Sequence, residues 1–296
     1  MKLDVLRNGK YIPDWVLSFM ENSRTRQKTT RMFGTTYIDV FHQSDEDKLL
    51  AIRQVKKVFN FLRKEFEELR GRSIKIVLIL SHKKKFVQKS SDQDRPIIGV
   101  NEINSAVCIK NTLGNEVDII IYRIEDLPKV LIHESIHFLC RDLHGKEFGH
   151  ATIMSIEADI KREYPSVSHV NIMFNEAFTE AYAQYLYCKG AFTSIERQRD
   201  TSLHNVKKFL NLNNCQTIEE FKLLKYYEEH SHPFAYILLS SALLHSDRFI
   251  SLIEKKEHTS NLRMIVKESI SSSEWKEAIS KTTSRYTRMF PFKLSS

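Results

Sequence analysis

The chain reads as an α+β protein, and three observations point there. Segments rich in β-branched residues cluster between residues 35 and 122. Helical apolar spacing dominates nearly everything after residue 126. Only 8 Gly and 6 Pro occur in 296 residues, too few for a fold made mainly of tight β-turns. A hydrophobic share of 42% and a charged share of 28% suit a chain that buries a core.

Residues 1–34 carry no clear element signal. Thr35 to Phe41 reads as a strand, because β-branched and aromatic residues dominate it. A long helix follows, with Ser44 as N-cap, acids in its first turn and Gly71 as its stop. Leu49, Ile52, Val55, Phe59, Leu62, Phe66 and Leu69 form its apolar stripe. Three apolar runs, Ile74–Leu80, Ala106–Ile109 and Val117–Tyr122, read as strands, and Gly114-Asn115 turns the last two into a hairpin. The next helix starts at Asp126 as N-cap, tolerates Pro128 in its first turn and runs to about Gly145. Further helical segments are expected near 146–163, 174–189, 195–212, 217–230, 233–246 and 272–286. The expected organisation is an N-terminal region with a long helix (1–73), a core (74–190) and a helical C-terminal subdomain (191–296).

Net charge is +8, and residues 51–100 alone hold 13 Lys/Arg against 5 Asp/Glu. The runs Arg24–Arg31 and Lys83–Lys85, with Lys89 close by, add local positive charge. Such a balance suits an acidic protein substrate, or nucleic acid through the 51–100 region. No apolar stretch reaches the roughly 18 residues that a membrane span requires, and the N-terminus lacks the apolar core of a signal peptide. A cytoplasmic chain with no membrane span is therefore expected. Cys108, Cys140, Cys188 and Cys215 are widely spaced, with no CxxC pair, and read as small buried residues rather than disulfide or zinc ligands.

The segment Val130-Leu-Ile-His133-Glu134-Ser-Ile-His137 contains H-E-x-x-H. Residues i and i+4 lie one above the other on a helix, about 6 Å apart in rise, so two imidazoles can reach one ion. The intervening Glu134 can then take a proton from water at that ion. The helix is strongly apolar, and burying two His and a Glu in it is costly without a compensating cation.

This segment resembles the zincin superfamily of zinc metallopeptidases. The resemblance implies a small mixed sheet packed on the H-E-x-x-H helix, an edge strand that holds the substrate (106–110 or 97–100), and Zn2+ as cofactor. Phe174-Asn175-Glu176-Ala-Phe-Thr-Glu180 is similar to the gluzincin pattern N-E-x-x-[ST]-[DE]. The similarity implies Glu176 as third ligand beside His133 and His137, and Glu180 as the carboxylate that orients a ligand His. Glu176 and Glu180, at i and i+4, share one helix face. His232 and, one turn on, Tyr236 are candidates to stabilise the oxyanion of a tetrahedral intermediate.

Two alternatives accompany this reading. His144-Gly-Lys-Glu-Phe148 resembles a segment of SprT-like proteases, which degrade proteins crosslinked to DNA and in which that His is the third ligand. If the motif helix continues to Gly145, His144 lies roughly 10 Å along the axis from His137, too far to share an ion. The other alternative is a catalytically silent binding protein of the zincin fold, for which an intact Glu134 has no use. The metzincin pattern is excluded, since Cys140 and Leu143 stand where its Gly and third His belong. His150, Cys140 and Asp142 are weak ligand candidates.

Overall fold

A computed structural model describes residues 12–21, 27–81, 105–109, 118–124, 126–139, 150–229, 231–255 and 261–283. These residues form a mixed α+β structure divided into two compact units.

The first unit holds helix α1 (Asp14–Glu21), strands β1 (Gln27–Phe33) and β2 (Thr36–His42), helix α2 (Asp45–Glu65), strands β3 (Ile74–Ile79), β4 (Ala106–Cys108) and β5 (Ile119–Ile121), and helix α3 (Leu127–Phe138). The five strands make one sheet in the order β1-β2-β3-β5-β4. β2, β3 and β5 are mutually parallel, while β1 and β4 run antiparallel at the two edges. β5 is an unbroken apolar run, and β3 is interrupted only by Lys75, because both their faces are covered. Val77, Ile79 and Ile120 pack under Ile12 and Val16 from the α1 segment. α3 packs against α2 and against strands β4 and β5.

Ser44 caps α2 as expected: its hydroxyl accepts from the Asp47 N–H at 3.4 Å, and Asp45, Glu46 and Asp47 fill the first turn. The helix stops at Glu65, six residues short of Gly71. Phe66 turns extended, and a 3-10 turn over Glu67–Leu69 buries Phe66 and Leu69. β1 was not expected. It is a polar edge strand, and it joins β2 through a two-residue turn in which Gly34 has φ +57°. Arg63 Nη2 pins that turn, donating to the Phe33 carbonyl at 3.1 Å and to Thr36 Oγ1 at 2.9 Å. β4 and β5 pair antiparallel, while the Gly114-Asn115 turn between them lies outside the described residues.

The second unit holds α4 (His150–Glu163), α5 (Phe174–Lys189), α6 (Ile195–Leu212), α7 (Ile218–Lys222), a π-helical turn (Phe234–Leu239) continued by α8 (Ser240–Leu244), α9 (Asp247–Lys255), α10 (Leu262–Ser271) and α11 (Ser273–Lys281). α5 and α6 coincide with the expected segments. α5 is buried around nearly its whole circumference, so it is the enclosed helix of this unit. α9 and α10 were not expected. α10 is tied to α4 by a bidentate pair, with Arg263 donating to both oxygens of Asp159 at 2.6 and 3.0 Å.

Two segments depart from the expected helices. The 217–230 segment is helical only to Lys222. Beyond it Tyr227 is buried beside the half-buried Glu229, and the Tyr227 O–H donates to Glu229 Oε2 at 2.6 Å. Residues i and i+2 do not face each other on a helix but share a side of an extended chain, so this bond requires the helix to end. The 233–246 segment is π-helical in its first half rather than regular α-helix. Among the described residues no helix is long and apolar enough to cross a membrane. Of the three described cysteines, Cys108, Cys188 and Cys215, only Cys215 is fully buried. Arg53, Lys56, Lys57 and Lys64 lie on the exposed face of α2, while the Lys83–Lys85 run falls outside the described residues.

Candidate metal centre

The motif helix α3 begins at Asp126, whose role differs from the expected cap. Its backbone is left-handed (φ 56°) and its side chain makes no capping bond. An αL residue at this point turns the chain abruptly from β5 into α3, and Asp tolerates that conformation better than most residues. Pro128 sits in the first turn as expected. α3 then carries Leu131, Ile132 and Ile136 into the core, and His133, Glu134 and His137 are buried with them. The described helix ends at Phe138, with Leu139 as its cap, rather than near Gly145.

His133 and His137 are only 6% and 8% exposed. Their Nε2 atoms lie 3.1 Å apart, with the rings inclined at 65°. Two nitrogens each about 2.0–2.1 Å from a tetrahedral zinc would be roughly 3.3 Å apart, so the pair already holds nearly the spacing one ion needs. Glu134 is equally buried. Burial pushes the Tyr122 hydroxyl far above its ordinary value, neighbouring Arg123 opposes this, and the Glu134 charge adds to the rise.

α5 presents a second set of polar groups. Its first N–H, on Phe174, donates to Glu157 Oε1 of α4 at 3.2 Å, which supplies the anion that the start of a helix favours. Glu176, Glu180 and Gln184 follow at intervals of four and so share one face. Both oxygens of Glu176 are held: Asn175 Nδ2 donates to Oε1 at 3.3 Å, and the Tyr236 O–H donates to Oε2 at 2.9 Å. Glu180 is buried and accepts from Gln184 Nε2 at 2.9 Å. Sequence reasoning passed over Gln184, although its place four residues after Glu180 was the available signal.

His133 and His137 of the first unit each offer an imidazole nitrogen, and Glu176 of the second offers a carboxylate oxygen. Two imidazole nitrogens and a carboxylate oxygen suit zinc and other first-row divalent ions. His150, exposed at the start of α4, is not part of this group. His144, Cys140 and Asp142 lie outside the described residues. His232 is half-buried just ahead of the π-turn, where its carbonyl accepts from the Tyr236 N–H at 2.9 Å. Tyr236 sits within that turn, and the bond its hydroxyl makes to Glu176 was not anticipated from sequence.

Glu229 is a half-buried acid of this unit whose carboxyl is largely desolvated. Burial pushes it up to about 7, against the hydrogen bonds from the Tyr227 O–H and the Phe234 N–H, which favour the ionised form. Between its unfolded value near 4.5 and about 7, the folded chain holds this proton more tightly than the unfolded chain does. Its contribution is full below that window and is lost as pH rises through it. Glu229→Gln is therefore expected to match wild type near pH 4 and to be more stable at pH 8 by roughly 3 kcal/mol. Urea unfolding of both chains at the two pH values checks this, and an equal difference at both would refute the assignment.

No protein-family model, no curated protein and no solved structure matches the chain, so its function rests on the site itself.

Proposed function

We propose that the chain is a zinc-dependent metallopeptidase of gluzincin type. One observation carries the reading: the imidazoles of His133 and His137 stand with their Nε2 atoms 3.1 Å apart, and Glu134 is buried beside the first of them. The two imidazoles and one Glu176 oxygen would hold the ion. When bound, zinc supplies Lewis-acid polarisation of the scissile carbonyl and acidifies water. Glu134 takes the proton from the attacking water and passes it to the leaving amine. Glu180, held by Gln184, orients a ligand imidazole and fixes its tautomer. His232 is the candidate donor to the oxyanion.

The sheet supports a peptide substrate. β4 is an edge strand of the sheet, and it packs against α3. An extended peptide can add to such an edge through main-chain hydrogen bonds.

The test is metal content and hydrolysis measured together. The purified chain is expected to retain zinc by elemental mass spectrometry and to cleave an unfolded, fluorescence-quenched protein. Chelation should stop cleavage, and added zinc should restore it. A chain that retains no zinc, or one that cleaves equally well after chelation, would overturn the reading.

A further inference from the structure

The π-helical turn Phe234–Leu239 is the least regular helical segment of the second unit, and it carries Tyr236. π-turns are rare and recur at functional sites, because the extra residue per turn re-aims a side chain at a cost in backbone geometry. Here the re-aimed side chain is the Tyr236 phenol, which donates to Glu176 Oε2 at 2.9 Å. The turn is held at its start. Glu229 Oε2 accepts the Phe234 N–H at 3.0 Å and the Tyr227 O–H at 2.6 Å. Tyr227 and Phe234 are themselves locked among Phe209 and Phe221, with ring centroids 5.2–6.4 Å apart.

We propose that Glu229 is a positioning residue for the metal centre. By gripping the first N–H of the π-turn it fixes the Tyr236 hydroxyl on Glu176 Oε2, so that Oε1, which also accepts from Asn175 Nδ2, is the oxygen turned to the ion. This rests on the metallopeptidase reading and deepens it. Tyr236 becomes a residue that orients a ligand, and Glu229, seven residues away in sequence, sets its aim. Glu176 is thereby presented through a single oxygen, in the ionised form that a ligand carboxylate must have.

The test is zinc affinity, read by competition with a chromogenic chelator at pH 8. Tyr236→Phe is expected to weaken zinc binding roughly 10-fold, the size typical of losing a partner behind a ligand. Glu229→Ala should weaken it by a similar factor. The double variant should be no weaker than the weaker single, because both changes remove the same hydrogen bond. Glu229→Gln, whose amide oxygen still accepts both donors, should restore near wild-type affinity. Unchanged affinity in Tyr236→Phe, or effects of Tyr236→Phe and Glu229→Ala that multiply in the double variant, would overturn the proposal. If Glu229→Ala does not fold, Tyr236→Phe and Glu229→Gln still decide: a loss in Glu229→Gln as large as in Tyr236→Phe counts against it. A wild-type chain that takes up no zinc fails the metallopeptidase reading itself, whereas zinc-binding variants of unchanged affinity fail this proposal alone.

Discussion

Glu134→Gln is expected to leave zinc content unchanged and to lower the hydrolysis rate by roughly 10²–10⁴-fold, the usual worth of a positioned acid–base group. Glu134 lies between the two imidazoles in sequence and, like them, is buried. It is not one of the three proposed ligands. The amide is nearly isosteric, so the helix and the imidazole pair keep their packing, but it has no basicity with which to take a proton from water. Zinc by elemental mass spectrometry and initial rates on the quenched protein substrate check both halves. Equal rates in the variant would reject the mechanism, and loss of zinc would mean that Glu134 holds the ion rather than the proton.

Glu176→Ala is expected to lower zinc affinity by more than about 100-fold, because losing a ligand costs more than losing a partner behind one. Two imidazoles would then share the ion with water alone. The substitution also leaves the Tyr236 hydroxyl and Asn175 Nδ2 without their acceptor. His144→Ala, measured alongside, should retain zinc. The opposite pattern, with metal lost in His144→Ala and kept in Glu176→Ala, would move the third ligand to His144 and favour the SprT-like alternative. Chelator competition on the two variants and wild type separates these outcomes.

Much of the site was legible because it is written in helical spacing. His133 and His137 are four residues apart, and α-helical geometry alone places such residues on one face. The observed 3.1 Å between their Nε2 atoms is a consequence of that spacing and of burial. The same rule put Glu176 and Glu180 on one face of α5, and it would have included Gln184. The boundaries of α5 and α6 were legible for a related reason: long periodic segments with clear ends leave few competing arrangements. β1 was not, because a polar edge strand has little of the apolar alternation by which strands are recognised.

Sequence by itself determined the local chemistry: a helix with two imidazoles one turn apart and an acid, and a second helix with an acidic face. Tertiary structure decided what local pattern cannot express. It ended the 217–230 helix early so that Tyr227 could reach Glu229, widened the next helix into a π-turn, and put Asp126 in the left-handed region. It alone can bring Glu176 to an imidazole pair that lies 39 residues or more earlier in the chain. The physical reason is the range of the forces involved. Helical spacing is set by hydrogen bonds four residues long, whereas a meeting across tens of residues must offset the entropy of closing a loop, and only the packing of the whole chain supplies that.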